Sequence, residues 1–582
     1  MTRRCGQHWK GEALPSVDTD LFAYRKAPEL SSGRAGEYPV VVVGAGPVGL
    51  CAAIDLAQHD VDCVLLDEES ALSQGSRAIC FSKRALEILD RLGCGDRAVA
   101  RGIVWNVGKV FLRDKLLYSF NLLPESGHKR PAFINLQQYH LEQFLVERML
   151  ETGRVDARWC NRVVGVTPAP DHVVVEVETP DGHYELRCRF LLVADGARST
   201  VRKLLGLETQ GQVFRDRFLI ADVKMEADFP TERWFWFDPP FHPNQSVLLH
   251  RQADNVWRID FQLGWDADPE KERRPERVTP RIRAMLGPQR PFSLEWVSVY
   301  TFQCRRMDQF RHARVVFVGD AAHQVSPFGA RGANSGIQDA DNLVWKLARV
   351  LTGRAPESLL ETYDLERIPA ADDNILNSTR STDFITPKSR VSRLFRDATL
   401  QLAREHPFAR ALVNSGRLST PFTYASTPLN TPDHARFAGK MVPGAPAADA
   451  PLDDGNGLAW LVDQLGGRFV GLYFAGSTSD TTTRSRLHAL TKLPESVQPV
   501  VLCIQGQSAG WKGCGLPVFE DTEGLAAQRY DAAPDTLYLI RPDQHVAARW
   551  RHLDIRAARE AVQRATGNLT PEFAAWQSST SA

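Results

Sequence analysis

Three glycines with the spacing GxGxxG, at Gly44, Gly46 and Gly49, directly follow a run of four valines. The first glycine permits a tight turn, and the second lets backbone N–H groups approach a pyrophosphate. The third allows a helix to pack closely on the strand, with its N-terminus facing the phosphates. Asp67 lies about 18 residues further on, where a carboxylate can bind ribose hydroxyls. This spacing predicts a dinucleotide-binding site.

A strand, a helix and a second strand are needed to position these residues. Residues 40–43 are all valine, which is typical of a strand buried on both faces. GLCAAIDLAQH then predicts a helix, and VDCVLLDEE predicts the next strand. Because such crossovers are right-handed, the two strands should be parallel. Residues 190–195 and 315–320 are apolar, end in an aspartate and predict two further strands.

The remainder of the chain changes its pattern twice. Residues 215–300 alternate apolar and polar side chains, which predicts an antiparallel sheet with one covered face. Residues 338–415 have helical periodicity. A Pro/Ala/Asp-rich stretch from Val442 predicts a linker into a separate C-terminal module.

Composition excludes several classes of protein. The chain has 582 residues, enough for several domains, with 43% hydrophobic and 24% charged residues. Seventy Lys and Arg balance seventy Asp and Glu, so bulk charge does not hold the chain to nucleic acid or lipid. Without an apolar stretch of about 18 residues or a signal-like N-terminus, we expect a cytoplasmic protein with no membrane partner. The ten cysteines form no CxxC and no metal-ligand spacing, so no metal is expected.

Two further segments carry a resemblance to a known family. They are FLLVADGARSTVR, at residues 190–202, and VVFVGDAAHQVSPFGARGANSGIQDADNLVWKL, at residues 315–347. Together with GAGPVGL, they resemble the FAD-dependent aromatic hydroxylases, the class A flavoprotein monooxygenases. Within that family, the chain resembles the branch of phenol hydroxylase and 3-(3-hydroxyphenyl)propionate hydroxylase. The resemblance is strong over residues 38–380.

The resemblance implies an α/β fold in three parts. A Rossmann-like FAD-binding domain is interleaved with an antiparallel substrate sheet, as in 4-hydroxybenzoate hydroxylase, and a thioredoxin-like C-terminal domain without CxxC follows. The implied divisions are 1–37 N-terminal extension, 38–215 FAD-binding domain with inserted substrate segments, 216–305 substrate-binding sheet, 306–380 return of the FAD-binding domain and its helix, 381–440 helical connection, and 441–582 thioredoxin-like domain.

The same resemblance assigns the contacts to FAD. Asp320 is expected to hold the ribityl chain, and Pro327 lies near the flavin ring. Asp195 and its neighbours support both the pyrophosphate and a passing nicotinamide, while Gln138 lies beside the flavin. The expected cofactor-binding residues are Gly44, Gly46, Pro47, Gly49, Asp67, Glu68, Arg77, Gln138, Asp195, Gly196, Arg198, Asp320, Pro327, Gly332 and Asn334.

The implied reaction is hydroxylation of a phenol or phenolic acid through a flavin C4a-hydroperoxide. FAD is bound non-covalently, NADH or NADPH is a transient reductant, and O₂ is the co-substrate. The resemblance leaves open whether the chain forms a homodimer, and no nucleic-acid partner is expected. No catalytic base is singled out. Candidates on the middle sheet, each of which also fits simple sheet packing, are Trp234, Trp236, His250, Arg251, Trp257, Gln262 and Tyr300.

Three alternatives remain beside this hypothesis. One is a tailoring oxygenase of Baeyer–Villiger or epoxidising type that acts on polycyclic aromatics. Another is an FAD-dependent halogenase, because residues 234–239 nearly match WxWxIP, although Asp238 replaces the isoleucine. A non-enzymatic flavoprotein is disfavoured by the intact GDAAH segment. His323 and Asp339 are expected to brace the fold, and the role of Arg331 stays open.

Overall fold

The computed structural model describes residues 22–73, 75, 78–413, 419–476, 480–504, 508–511 and 513–568. The strands up to residue 193 are β1 (Gly36–Val43), β2 (Cys63–Leu66), β3 (Cys80–Ser82), β4 (Ile103–Trp105), β5 (Val107–Leu112), β6 (Lys115–Asn121), β7 (Phe133–Asn135), β8 (Val155–Arg158), β9 (Arg162–Pro168), β10 (Val173–Thr179) and β11 (Gly182–Val193). The next strands are β12 (Gln210–Lys224), β13 (Arg233–Phe237), β14 (Ser246–Arg251), β15 (Val256–Leu263), β16 (Ser293–Arg306), β17 (Arg311–His312), β18 (Val315–Phe317) and β19 (His323–Gln324).

The C-terminal strands are β20 (Pro451–Asp453), β21 (Leu458–Trp460), β22 (Phe469–Ala475), β23 (Val497–Ile504), β24 (Val518–Asp521), β25 (Leu537–Ile540) and β26 (Val546–Trp550). The helices are α1 (Pro28–Ser32), α2 (Pro47–Gln58), α3 (Lys83–Arg91), α4 (Gly95–Arg101), α5 (Gln138–Thr152), α6 (Thr200–Leu204), α7 (Pro269–Glu272), α8 (Pro275–Leu286), α9 (Gly332–Leu351), α10 (Glu361–Ile385), α11 (Arg390–Glu405), α12 (Pro407–Val413), α13 (Thr481–Leu490), α14 (Leu525–Arg529) and α15 (Ile555–Ala565). No helix among these described residues is long and apolar enough to cross a bilayer.

The first sheet has the strand order β17-β18-β11-β1-β2-β8. Its centre is the βαβ unit predicted from the valine run and the glycine turn. Val40 pairs in parallel with Cys63 on one side and Phe190 on the other, so the valine run of β1 is covered on both edges as well as both faces. This burial explains the continuous β-branched run.

Two strands of the first sheet differ from their predicted bounds. β11 extends back to Gly182, because its first half pairs antiparallel with β10 while its second half pairs with β1. β18 ends at Phe317, earlier than predicted. Gly319 adopts a φ of 60° and turns the chain into a 3-10 turn over Gly319–Ala321.

The second sheet has the order β19-β16-β12-β15-β14-β13-β5-β6. Its strands are antiparallel as predicted, except that β13 and β5 run parallel. Since β5 and β6 come from the N-terminal part of the chain, this sheet is interleaved with the first. Neighbouring residues on β12 pack on opposite faces, with Phe218 against Phe302 and Leu219 among a separate apolar cluster.

The C-terminal sheet has the order β21-β20-β24-β23-β22-β25-β26. β22, α13 and β23 form a parallel βαβ unit, and β25 joins the other edge of β22 in the antiparallel sense. The β25–β26 hairpin leads into α15. This arrangement of a βαβ unit beside a ββα unit is thioredoxin-like, as the resemblance implied.

The stretch from Val442 is not an exposed linker, which corrects the prediction from its composition. The Gly444 N–H donates to the Val546 carbonyl, and Pro446 bridges to His545. Ala450 is completely buried in the C-terminal core. Small residues that look like linker composition here form packed structure.

A buried ionic network joins the C-terminal part to α9 and α10. Glu366 Oε2 lies 2.7 Å from Lys346 Nζ, and its Oε1 lies 2.6 Å from Arg541 Nη1. Arg541 also pairs with Asp543 at 2.5 Å, and all four side chains have no exposed surface. Burial alone raises the pKa of Glu366, but Arg541 and Lys346 outweigh it and hold that pKa below its ordinary value. The two parts of the chain are therefore docked through charges that water does not reach.

Candidate active site

The glycine turn between β1 and α2 has a different constraint at each glycine. Gly44 has a φ of 101°, and a Cβ there would lie 2.5 Å from the Ala194 carbonyl oxygen. A Cβ at Gly49 would lie 1.9 Å from the Gly44 oxygen. A Cβ at Gly46 would meet no atom within 4 Å, because Gly46 faces a cavity at the N-terminus of α2. The turn therefore leaves an open cradle where N–H groups meet an anion.

Asp67 and Glu68 line this cavity at the end of β2. Asp67 Oδ2 accepts a hydrogen bond from the Ala45 N–H at 2.5 Å, and Oδ1 accepts one from the Glu69 N–H at 2.8 Å. Burial raises the pKa of Asp67, and these two N–H donors act against that rise. Asp67 thus holds the glycine turn in place as well as facing the cavity.

A polar cluster on α5 forms the next part of the wall. Gln138 Oε1 accepts from the Ala78 N–H at 3.0 Å, and its Nε2 donates to Glu142 at 2.8 Å. Glu142 also accepts from the N–H and the hydroxyl of Ser73, at 2.9 and 2.7 Å. Glu142 was missed from the sequence, although its position one helical turn after Gln138 was a usable signal. Arg77 lies outside the described residues.

The segment after β11 brings Asp195, Gly196 and Arg198 to the same cavity. Asp195 Oδ2 accepts from the Val201 N–H at 3.1 Å, whereas its buried Oδ1 has no hydrogen-bond partner. An orphaned buried acceptor beside a cavity is costly unless a ligand donates to it. Arg202 points elsewhere and donates to the Ala321 carbonyl at 2.6 Å, which ties two walls together.

The segment from the end of β18 through the first turn of α9 lines the cavity with Asp320, Pro327, Gly332 and Asn334. Asn334 accepts from the Ser82 N–H at 2.9 Å and donates to the Cys80 carbonyl at 2.8 Å, so it fixes this segment to β3.

His323 and Asp339, which were expected to brace the fold, are buried behind that segment. His323 Nε2 lies 2.7 Å from Asp339, which also accepts from the Gly319 N–H and from Arg367. Arg331 is buried, lines the cavity and donates to Asn374 at 2.9 Å, so it does not face solvent.

The cavity has a volume of about 770 Å³ and continues past Asn334 to the second sheet. Of the seven candidates on that sheet, His250 and Tyr300 line it and the other five do not. Trp236 instead stacks on Phe111 at 5.1 Å, in a cluster of rings along the sheet. The tryptophan run that resembles WxWxIP is therefore sheet packing.

Three charged residues at this end of the cavity were missed from the sequence: Arg233, Arg258 and Asp260. Arg258 is bidentate to Asp222, with both distances 2.8 Å. Arg233 is buried between the faces of Trp105 and Phe235, and burial lowers its pKa.

His250 lies beside these charges with its Nε2 at 3.6 Å from Asp260 Oδ2. Burial and the Arg233 charge lower the pKa of His250 to about 4, so its imidazole is neutral near pH 7. This end of the cavity therefore combines a buried cation, a carboxylate and a neutral imidazole.

The cavity fits a dinucleotide that carries a reactive ring. The open space at Gly46 suits a pyrophosphate, the Asp195 Oδ1 lacks a donor, and Pro327 of the 3-10 turn Pro327–Gly329 lines the cavity. A family model described as "FAD binding domain" matches residues 37–378. The chain belongs to this family.

Relatives place this FAD-dependent enzyme among the class A flavoprotein monooxygenases. It is 30% identical over 548 residues to 6-methylpretetramide 4-monooxygenase of Streptomyces rimosus, covering 88% of this chain and 90% of that protein. It is 28% identical to 3-(3-hydroxy-phenyl)propionate/3-hydroxycinnamic acid hydroxylase of Mycolicibacterium gilvum, covering 88% of each. A solved structure of a flavin-dependent monooxygenase in complex with FAD and substrate matches with a TM-score of 0.77 and 23% identity, over 91% of this chain and 99% of that one. That likeness confirms the fold.

The residues assigned to FAD from the sequence have distinct positions in the monooxygenase. All of them line the cavity except Arg77, which is outside the described residues, and Gly49, which packs α2 onto β1. The end of the cavity at the glycine turn was thus visible in the motifs. The charged end was not, since no motif marks it.

Proposed function

We propose that this monooxygenase consumes NADH or NADPH and hydroxylates a phenolic aromatic compound in the cytoplasm. The observation that supports it is the continuity of one cavity from Gly46 to Arg233 and His250. A cofactor bound at the glycine turn reaches the part of the cavity next to Arg233 and His250, which we call the substrate compartment. Its apolar walls and few convergent polar groups are the usual form of a small-molecule site.

FAD, when bound, takes hydride from the nicotinamide and activates O₂. The protein's own residues hold the reacting partners. The N-terminus of α9 at Gly332 directs its partial positive charge into the cavity, which stabilises negative charge there. Asn334 fixes the neighbouring wall through its bonds to β3, and Ile220 and Phe302 supply apolar surface that excludes water.

The direct test is oxidation of NADH and NADPH by the flavin-loaded protein across a panel of phenols and phenolic acids. Hydrogen peroxide and aromatic products are measured in the same reactions. We expect one phenol to stimulate oxidation, with a hydroxylated product that matches the nicotinamide consumed. Stimulation that yields peroxide alone for every aromatic would contradict the proposal.

A pair of variants separates the compartment from the rest of the fold. Ile220→Phe narrows the compartment and should abolish phenol-stimulated oxidation while FAD stays bound. Leu458→Phe changes an exposed side chain of the C-terminal sheet and should leave both properties unchanged. Equal activity of the two variants would show that the compartment is not where the phenol binds.

A second candidate is oxygenation of a polycyclic aromatic, including Baeyer–Villiger or epoxidising chemistry. The similarity to 6-methylpretetramide 4-monooxygenase over most of both chains favours it. The same assay with polycyclic phenols and quinones decides between the two. A product in which a ketone has become an ester, or a ring bond an epoxide, would replace the hydroxylase proposal.

A further inference from the structure

We propose that Arg233, His250 and Asp260, the end wall of the substrate compartment, bind a phenolic hydroxyl group and take up its proton. The inference rests on the proposed aromatic hydroxylation and names the substrate group and the residues that recognise it.

Arg233 is a buried cation whose hydrogen-bond donors are not all paired. Its side chain is 3% exposed, and its Nε and Nη1 have no hydrogen-bond partner. No carboxylate of the described residues forms a salt bridge with it. Its guanidinium lies over the rings of Phe235, at 5.0 Å, and Trp105, at 5.9 Å. A buried charge is costly unless it is paired, so these donors are completed by an oxygen of a ligand.

Arg258 provides an internal comparison on the same sheet. It is equally buried, but Asp222 neutralises it with two hydrogen bonds of 2.8 Å. Gln252 donates to the same carboxylate at 3.0 Å and completes that pair. The fold therefore supplies a partner for one cavity arginine and leaves the other directed at the substrate.

The acceptors of the end wall are also incomplete. Asp260 Oδ1 and His250 Nε2 are buried without hydrogen-bond partners. A phenolic hydroxyl both donates and accepts, so its oxygen accepts from Arg233 while its single O–H donates to one of these acceptors, His250 Nε2. A carboxylate only accepts, and it would place a second negative charge beside Asp260. The wall therefore favours a phenol over an aromatic acid at this position.

The proton transfer balances within these residues. The phenolic O–H bond breaks, its electron pair stays on oxygen, and the proton moves to His250 Nε2. Arg233 balances the phenolate, while Asp260, 3.6 Å from Nε2, balances the imidazolium. Nothing is oxidised in this step, and the ring becomes more electron-rich for oxygen transfer. Besides burial, Arg233 keeps the free imidazole unprotonated, and the bound phenolate cancels that charge.

Binding of three nitroaromatic probes to the FAD-loaded protein, without nicotinamide, tests the inference. The probes are 4-nitrophenol, 4-nitroanisole and 4-nitrobenzoate, titrated by calorimetry and by difference absorbance below the pKa of free 4-nitrophenol. We expect 4-nitrophenol to bind as the coloured phenolate and about 10-fold or more tighter than the other two, as for hydrogen bonds to a charged group. Comparable or tighter binding of 4-nitroanisole or 4-nitrobenzoate, or a bound phenol that stays neutral, would overturn it.

Variants assign the roles. Arg233→Met keeps the packing on Trp105 and Phe235 and should weaken 4-nitrophenol about 10- to 100-fold without affecting 4-nitroanisole. Arg233→Lys should restore part of the phenolate signal, and His250→Gln should leave the bound phenol neutral. Arg290→Met is the matched control, since Arg290 lies over Phe229 outside the cavity.

FAD content and melting temperature identify variants that fail to fold. If Arg233→Met fails to fold, Arg233→Lys is used in its place. An unchanged phenolate signal in Arg233→Met contradicts the inference. Failure of the proposed function is distinguishable, because it would appear as absent nicotinamide oxidation while the phenolate signal persists.

Discussion

Substitution by alanine should affect different properties at two glycines of the same motif, FAD binding at one and stability at the other. Gly46→Ala is expected to leave the apoprotein as stable as the parent and to weaken FAD binding. Gly49→Ala is expected to destabilise the fold itself. The contrast follows from where each new Cβ would lie: free of any atom within 4 Å at Gly46, and 1.9 Å from a backbone oxygen at Gly49.

The magnitudes can be worked from this geometry. Gly46 has a φ of −73°, which alanine adopts freely. Alanine is a poorer N-cap than glycine but also restricts the unfolded chain, so the two effects on the free energy of unfolding nearly cancel, within about 0.5 kcal/mol. Gly49 lies inside α2, where alanine gains about 1 kcal/mol in helix propensity. The backbone clash costs about 1–3 kcal/mol, so the net loss reaches about 2 kcal/mol. At Gly46 the Cβ displaces the pyrophosphate from one charge-assisted hydrogen bond, which weakens FAD about 10- to 100-fold.

The assay is thermal unfolding of the FAD-free proteins, together with FAD titration by flavin fluorescence. Unfolding is measured without FAD because a ligand that binds the folded state raises its apparent stability. Gly264→Ala is the control, since its Cβ also meets no atom within 4 Å and Gly264 lies outside the cavity. If Gly46→Ala bound FAD within about twofold of the Gly264→Ala control, less than 0.5 kcal/mol, the cradle assignment would be refuted.

Three further predictions concern stability and the cofactor. Glu366→Gln leaves Lys346 and Arg541 undercompensated and should lower the free energy of unfolding by about 3–5 kcal/mol in denaturant titrations; an unchanged midpoint would contradict the network. Burial raises the pKa of Asp364 to about 7, against the N–H groups of Phe310 and Arg311. Its pKa in the folded state exceeds its pKa in the unfolded state. Its contribution to stability is therefore fully present below about pH 4 and is lost as the pH rises to about 7. Parent stability relative to Asp364→Asn should therefore fall across that window, and a constant difference would refute the shift. Asp67→Ala and Asp320→Ala should each purify with a lower ratio of flavin to protein absorbance, and fully yellow variants would remove these residues from the cofactor site.

The end of the cavity at the glycine turn was predictable from sequence because its constraints are local. A tight turn, a close helix and a buried strand each restrict residue types at fixed spacing, as at Gly44, Gly49 and Val40. The charged end was not, because Arg233 and Asp260 come from separate strands. Only their meeting across β14 makes them a site.

The linker prediction failed for a related reason. Composition alone does not separate an exposed Pro/Ala stretch from one whose alanines pack against a strand. Ala445 accepts a hydrogen bond from Val546 of β26, a strand that comes about 100 residues later in the chain, and Ala450 is buried in the C-terminal core.

The ionic docking of the C-terminal part also sets an order of events during synthesis. Glu366 precedes its partner Arg541 by 175 residues. At about 5–20 residues per second, the ribosome needs about 9–35 s to deliver that arginine. During this interval Asp341 also lacks the neighbouring Gln544 and Asp543 contacts that hold Arg84 against it. The buried network around Glu366 is therefore completed only after Arg541 has emerged. In a shortened chain Glu366 would keep Lys346 as its partner but lose both hydrogen bonds from Arg541.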